Sequence, residues 1–312
     1  MWEIIIKAGS LVFIIFLGFV LRRRQLLQKE DCRTLMMLIM NVTLPAAVIT
    51  SFQDYKRDMS LIFVALIAIG MNGFMSLAGY MSADRKDKKE QAFGVINYSG
   101  YNVGAFAMPY LQNFLGETGI MAACIFDSGN AIMCSGMVYV IASGILEGRG
   151  RWNLKNMVGK LVKVVPFDVY VAMMVLYFAD IHLPVVVYQA AGYVGVANTF
   201  LAMLVIGASI KVELNDSSDV QVGKLIKNLM VRYILAAIIS LCIYYLLPFE
   251  IMIRQVLVII AFAPVSSITV TNTAKCGLDE ERSGVVNSIS ILISLVLITC
   301  LIVRWNLGIS VM

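Results

Sequence analysis

Residues able to bind or carry something are concentrated in two polar stretches inside otherwise apolar segments. The first is Asn97-Tyr98-Ser99-Gly100-Tyr101-Asn102-Val103-Gly104, followed by Pro109. The second runs Ala263-Pro264-Val265-Ser266-Ser267-Ile268-Thr269-Val270-Thr271-Asn272-Thr273-Ala274-Lys275. Hydroxyls and amides buried in hydrocarbon without partners cost several kcal/mol each, so these groups must face protein, water or a ligand. Proline removes a helix hydrogen bond and clashes with the carbonyl four residues back. In lipid such a break persists only where it is buried in protein or lines a cavity. Unwound backbone exposes amide donors and carbonyl acceptors; half-helix N-terminal ends favour an anion and C-terminal ends a cation. Asn102, Ser266, Ser267, Thr269 and Asn272 are therefore candidate ligands for a solute or an ion, with Pro109 and Pro264 marking the breaks. Close helix packing through Ser, Thr and Gly accounts for some of this composition. It does not account for a proline at the same place in both halves of the chain.

Asp127, in Asp127-Ser128-Gly129-Asn130, lies inside a third apolar run. An intramembrane carboxylate is costly and reads as functional by default. Asp127 either carries a coupling proton or hydrogen-bonds a broken backbone. Asn41 and Asn198 either face a substrate or hold a helix contact. Asp168, just after Pro166, reads as structural and as a partner for Lys163. Lys275 reads as a lysine at the inner face, and Arg232 as the start of a span near that face. His182 is the only histidine, so zinc sites built on two or three histidines are excluded, and no metal site is expected. A Ser-His dyad is equally unexpected at that surface turn. The chain has no G-x-x-x-x-G-K-[ST] phosphate loop, which disfavours ATP-driven pumping by this chain alone. With one convincing intramembrane aspartate, an aspartic dyad lacks a member. No enzyme activity and no cofactor are expected; a coupling ion, H+ or Na+, stays open.

The elements that must position these groups are membrane spans. The 312 residues are 60% hydrophobic and 14% charged, with a mean hydropathy of +0.83. A soluble domain of this size could not hide that much apolar surface. Ten candidate spans lie near 4–21, 33–52, 60–81, 91–114, 118–146, 161–180, 186–210, 225–247, 253–275 and 284–303. Basic clusters follow every second boundary: Arg22-Arg23-Arg24, then Arg85, Lys86, Lys88 and Lys89, then Arg149, Arg151, Lys155, Lys160 and Lys163, then Lys211, Lys224 and Lys227. The opposite side holds only Lys7, Lys56, Arg57, Arg254 and Arg304. The positive-inside rule then places both termini outside, in a multi-pass protein of the cell (inner) membrane. The first apolar run is followed, not preceded, by its arginines, so it reads as a retained span rather than a signal peptide. The net charge of +5 reflects this topology and not nucleic-acid binding. Cys32 and Cys276 fall in predicted cytoplasmic loops, the other cysteines in apolar runs, and no disulfide framework is indicated.

Ten spans divide into five and five, and an odd number per half turns the second half upside down. Asn41 and Asn198 are 157 residues apart, Asn130 and Asn287 are also 157 apart, and Pro109 and Pro264 are 155 apart. The reading is an all-α membrane protein, one transport domain over 1–312. It consists of a first five-helix repeat (1–146) and a second, inverted one (161–312), with broken crossing helices in spans four and nine.

These residues resemble the auxin efflux carrier family, whose bacterial members are small permeases. The match rests on Asn41-x-x-Leu44-Pro45, Asn102-x6-Pro109, Phe114-Leu115-Gly116-Glu117-x-Gly119, Asp127-x-x-Asn130 and Ala263-Pro264 through Ala274. The resemblance implies a scaffold of spans one, two, six and seven and a moving bundle of the other six. It also implies a crossover from Asn102 to Pro109 and from Pro264 to Asn272 beside the substrate. It further implies secondary transport of a small organic anion such as malate or malonate, by alternating access in the bilayer. A homodimer through the scaffold helices is the oligomer it allows. Two departures stand out. Only residues 147–160 occupy the place of the long central loop of plant members, and span seven has no counterpart of Pro45. Alternatives are a sodium-coupled symporter of the bile-acid type and a non-transporting membrane receptor of the same fold.

Overall fold

The computed structural model describes residues 2–53, 58–147, 165–210 and 219–307. Among these the chain is helical, and its one extended pairing is an antiparallel bridge between Tyr101 and Val265. Helix α1 spans Trp2–Arg23. Helix α2 runs as Lys29–Leu38, a π-helical turn Ile39–Thr43 and Leu44–Ser51. A short 3-10 turn leads into α3, Ile62–Ser82. Helix α4 is split into α4a, Lys88–Tyr98, and α4b, a π turn Val103–Ala107 continuing as Met108–Leu111. Helix α5 comprises Glu117–Ile132, a π turn Met133–Met137 and Val138–Glu147. Then come α6, Val165–Ala179; α7, Val185–Ser209; and α8, Asp219–Leu246. Helix α9 is split into α9a, Ile251–Ala261, and α9b, Ile268–Lys275, and α10 spans Glu280–Trp305.

Seven of these helices (α1, α2, α3, α5, α7, α8 and α10) are long and apolar enough to cross a membrane, while α6 and α9a are shorter apolar helices. Large apolar side chains such as Phe13, Phe16, Val186, Val196, Leu241 and Leu246 stand exposed on the outside. In water that surface would drive association; for this chain it is the face toward lipid. Helix starts carry local signals. The side chain of Asp58 accepts from the Ser60 amide, that of Asp87 from Glu90, and that of Asp279 from Arg282, each satisfying an orphan donor of a first turn. Cys32 lies in the first turn of α2 and not in a loop, because that helix starts at Lys29.

Packing sorts the helices into two groups. One consists of α1, α2, α6 and α7; the other contains α3, α4, α5, α8, α9 and α10. Small residues set the closest approaches, as expected where lipid supplies no hydrophobic drive between helices. A Cβ on Gly207 would sit 1.8 Å from the Ile15 carbonyl oxygen, and one on Gly18 would sit 2.0 Å from that of Leu204, which locks α1 against α7. Glycines 79 and 94 bring α3 and α4a together in the same way.

Glu90, one residue ahead of the apolar run of span four, ties three helices at one end of the second group. It accepts from Arg282 at 2.6 Å and from Lys224 at 2.8 Å. Burial acts to raise its pKa, but the hydrogen bonds and charges of Arg282 and Lys224 outweigh burial and hold it below the usual carboxylate value. The stabilisation from this lowered value is present above the ordinary glutamate range and is lost as pH falls through the folded-state value.

Replacing Gly207 by Leu forces α1 off α7. Overpacking of this kind costs roughly 1–3 kcal/mol, and thermal unfolding of detergent-purified protein should show a clear fall in Tm. An unchanged Tm would mean that the two helices are not held at this distance.

Candidate functional site at the crossing of two interrupted helices

The breaks in α4 and α9 face each other and satisfy each other's backbone. The Asn102 amide donates to the Pro264 carbonyl at 2.9 Å, and the Ser266 amide donates to the Gly100 carbonyl at 3.3 Å. Gly100 has φ +79°, a conformation that favours glycine, and a Cβ there would lie 3.1 Å from the Cys134 sulfur. Side chains from flanking helices take up the remaining groups. The Asn130 amide donates to the Tyr101 carbonyl at 2.8 Å, and its oxygen accepts from the Tyr101 amide at 3.1 Å. Across the bridge, the Asn287 amide donates to the Val265 carbonyl at 2.6 Å, and the Val265 amide donates to the Ser290 hydroxyl at 3.0 Å. The Gly100 amide donates to Asn72 at 2.8 Å. Two asparagines 157 residues apart thus each donate to the carbonyl of one bridge residue.

A cavity of about 460 Å³ opens beside this crossing. From the second group it is lined by Tyr101 to Ala105, by Asp127, Asn130, Cys134 and Ser135 of α5, and by Ser266, Ser267, Ile268 and Thr271. From the first group come Met36, Met40, Asn41 and Leu44 of α2, and Val165, Pro166, Phe167 and Tyr170 around the start of α6. The cavity therefore lies where the two groups meet. Among the described residues its wall contains no Lys, Arg or His. The Asn102 amide group reaches Ser267 Oγ at 3.4 Å, joining the two breaks on the cavity side.

Asp127 is buried and doubly held. Its Oδ1 accepts from the Asn130 amide at 2.8 Å, and its Oδ2 accepts from the Tyr170 hydroxyl at 2.8 Å. Tyr170 belongs to the first helix group and Asp127 to the second, so this bond spans the cavity. Gly104 leaves room for it: a Cβ there would sit 2.9 Å from Asp127 Oδ2 and 3.0 Å from the Tyr170 hydroxyl.

The structure brings six of the expected site residues to this cavity: Asn41, Asn102, Asp127, Asn130, Ser266 and Ser267. Asn41 also donates to the Met37 carbonyl of its own helix. The others stand behind the wall. The Asn272 amide donates to the Cys134 carbonyl at 2.8 Å, and the Thr269 hydroxyl to the Ser266 carbonyl. Asn198 is fully buried and accepts from Thr43 at 3.1 Å where α2 crosses α7. Pro264 lies within the α9 break and supplies the carbonyl that Asn102 binds. Pro109 does not mark the break in α4. That helix unwinds at Ser99–Asn102, and Pro109 sits in the segment that follows. The π turn at Val103–Ala107, in which the Met108 amide reaches back to the Val103 carbonyl, widens the helix around the ring. The wider turn removes the clash that would otherwise break the helix. Pro45 follows a π turn in α2 in the same way. Asp168 lies in the first turn of α6, and Lys163, its expected partner, lies outside the described residues.

Two residues escaped the sequence reading. Tyr170 looked like one more aromatic in an apolar helix. Arg232 is not at the start of a span: it lies well inside α8, 2% exposed, with its guanidinium on the crossover. Its signal was a lone arginine within an apolar run, Leu229-Met230-Val231-Arg232-Tyr233-Ile234-Leu235, as unusual there as Asp127.

Apolar helices around interrupted segments, with a cavity at the interruption lined by both polar and apolar side chains, define an integral membrane protein of the transporter class. Comparison with known proteins agrees. A family model described as membrane transport protein matches residues 4–157, in keeping with the resemblance to the auxin efflux carrier family. An uncharacterized transporter of Methanothermobacter thermautotrophicus is 24% identical over 155 residues, which is 48% of this chain and 50% of the relative. The match thus spans about half the length of that protein.

Asn130→Ala would leave the Tyr101 amide without its partner and take one donor from the Tyr101 carbonyl and one from Asp127. At about 1–3 kcal/mol per stranded group, the variant should unfold at markedly lower temperature than wild type, whereas Asn41→Ala should not. Equal Tm values for the two would contradict the role given to Asn130.

Proposed function

We propose that this protein is a secondary carrier of a small organic anion, working by alternating access around the crossing of α4 and α9. The observation that carries the reading is the cavity's position: it is bounded by both breaks on one side and by α2 and α6 on the other. Movement of one helix group against the other would change the side from which it is reached. The free amides at the start of α9b and the side chains of Asn102, Ser266 and Ser267 suit a carboxylate. The apolar wall from Met36, Met40, Leu44 and Val103 suits the carbon body of the solute.

An inverted repeat of two five-helix halves, 1–146 and 161–312, is part of the same reading. The matched duties of Asn130 and Asn287 support it, as do the symmetric placing of the two breaks and the bridge between them. The four helices of the first group would be the scaffold and the other six the moving bundle, with both termini outside the inner membrane. Asp127 is proposed as the coupling group. Its bond to Tyr170 fastens the two groups across the cavity. Protonation of the carboxylate would remove negative charge as the anion enters and weaken that tie.

Uptake or counterflow of radiolabelled malonate and malate in proteoliposomes tests the reading directly. Wild type should transport at least one such acid. Asn102→Ala and Ser267→Ala should each raise the half-saturating concentration by about tenfold, the worth of one hydrogen bond to a charged group. Asp127→Asn should keep binding but lose dependence of transport on a pH gradient. Absence of flux for a panel of small organic acids, with ligand-induced thermal shifts retained, would instead favour a receptor.

A further inference from the structure

Interrupted helices in carriers leave half-helix C-terminal carbonyls free to hold a coupling cation. Here those carbonyls are taken. Arg232 Nη1 donates to the Tyr98 carbonyl, and Nη2 donates to the carbonyls of Gly100 at 3.1 Å and Ala263 at 3.2 Å. Tyr98 ends α4a and Ala263 follows the end of α9a, so one side chain caps both half-helices at once. The guanidinium also lies over the Tyr101 ring, 5.2 Å from its centroid. Among the described residues no carboxylate forms an ion pair with it.

Arginine stays protonated in proteins, and its planar fork of donors can serve several acceptors in fixed directions. Carbonyl dipoles at two helix ends and the face of one ring offset part of its charge. The rest is not cancelled by an ion pair. It acts at short range, because Tyr101, against which the guanidinium packs, is itself part of the cavity wall. A metal ion placed on the same carbonyls would meet a like charge in a medium that screens poorly.

We infer that Arg232 is the resident cation of the crossover. It occupies the carbonyl cage in which Na+ would otherwise sit, so this carrier works without sodium, and its fixed charge favours the anion in the adjoining cavity. Arg232 is a positioning residue: it reaches the solute through the backbone and ring of Tyr101 and does not touch it. The sodium-symporter alternative then falls away, and a proton at Asp127 is the coupling ion that fits. The claim about anion binding rests on the carrier reading; the claim about the cage does not.

The test uses the full chain in detergent and in proteoliposomes, comparing NaCl with choline chloride at equal ionic strength, and malonate and malate as anion probes. For wild type, Tm and uptake should be the same in both salts. Arg232→Met should bind the anion probe about tenfold or more weakly, the scale of a lost charged partner. With the cage open, this variant should also gain a Na+-dependent rise in Tm. Arg232→Lys should recover part of the anion response while staying insensitive to Na+, a rescue that a purely structural role would not produce. A Na+-dependent Tm or uptake in wild type overturns the inference, and so does an Arg232→Met variant that binds the anion as wild type does. Should Arg232→Met fail to fold, the wild-type salt comparison and the Lys variant decide. If no organic acid is bound or moved, the carrier reading fails, while the response of Tm to Na+ still judges the cage.

Discussion

Backbone groups released by a broken helix have no water to turn to inside a bilayer, and the centre of this protein is arranged around where they go. Each break supplies the other: Asn102 to Pro264, Ser266 to Gly100. What the two breaks cannot satisfy between them is taken up by Asn72, Asn130, Asn287, Ser290 and Arg232 from four surrounding helices. An unpaired amide or carbonyl in hydrocarbon costs several kcal/mol. The polar residues of α3, α5, α8 and α10 are therefore required wherever α4 and α9 stop being helices.

This requirement joins fold to function. The same unwinding that must be satisfied on one side leaves Asn102, Ser266 and Ser267 facing a cavity on the other. The cavity wall is polar where it borders the breaks and apolar where α2 closes it. A hydrogen bond from Tyr170 to Asp127 also crosses it and connects the two packing groups. The buried charges are divided accordingly: the carboxylate lies at the boundary between groups, and the guanidinium is enclosed within one of them.

Much of the architecture was legible in the chain because bilayer thickness and apolar run length are coupled so tightly. Most helices begin and end within a few residues of the expected spans; α7 differs by only one at either end, whereas α8 starts at Asp219, well before the expected 225. Spans four and nine were recognisable as interrupted from their polar runs. The point of interruption in α4 was not, because proline alone is a poor guide to it. At Pro109 a π turn absorbs the ring, whereas the unwinding occurs at Ser99-Gly100-Tyr101-Asn102, where no proline stands. Asn130 and Asn287 stood out by their spacing of 157 residues, and each donates to the carbonyl of a bridge residue. Tyr170 and Arg232 were not. Whether a side chain in an apolar run faces lipid, a neighbour or a cavity depends on helix rotation, and helices this uniformly apolar carry almost no periodic signal of it.

The three π turns, at Ile39–Thr43, Val103–Ala107 and Met133–Met137, all contribute residues to the cavity: Met40 and Asn41, Val103 to Ala105, and Cys134 and Ser135. A π turn holds one residue more than the α-helical ladder calls for. Letting that residue slip back into register would turn the helix beyond it by about 100° and lengthen it by about 1.5 Å. The compartment is thus walled by stretches whose winding can be exchanged locally, at the level of a single residue, with the rest of each rod left intact. Rewinding of this kind would change the outline of the cavity without displacing the rest of each helix.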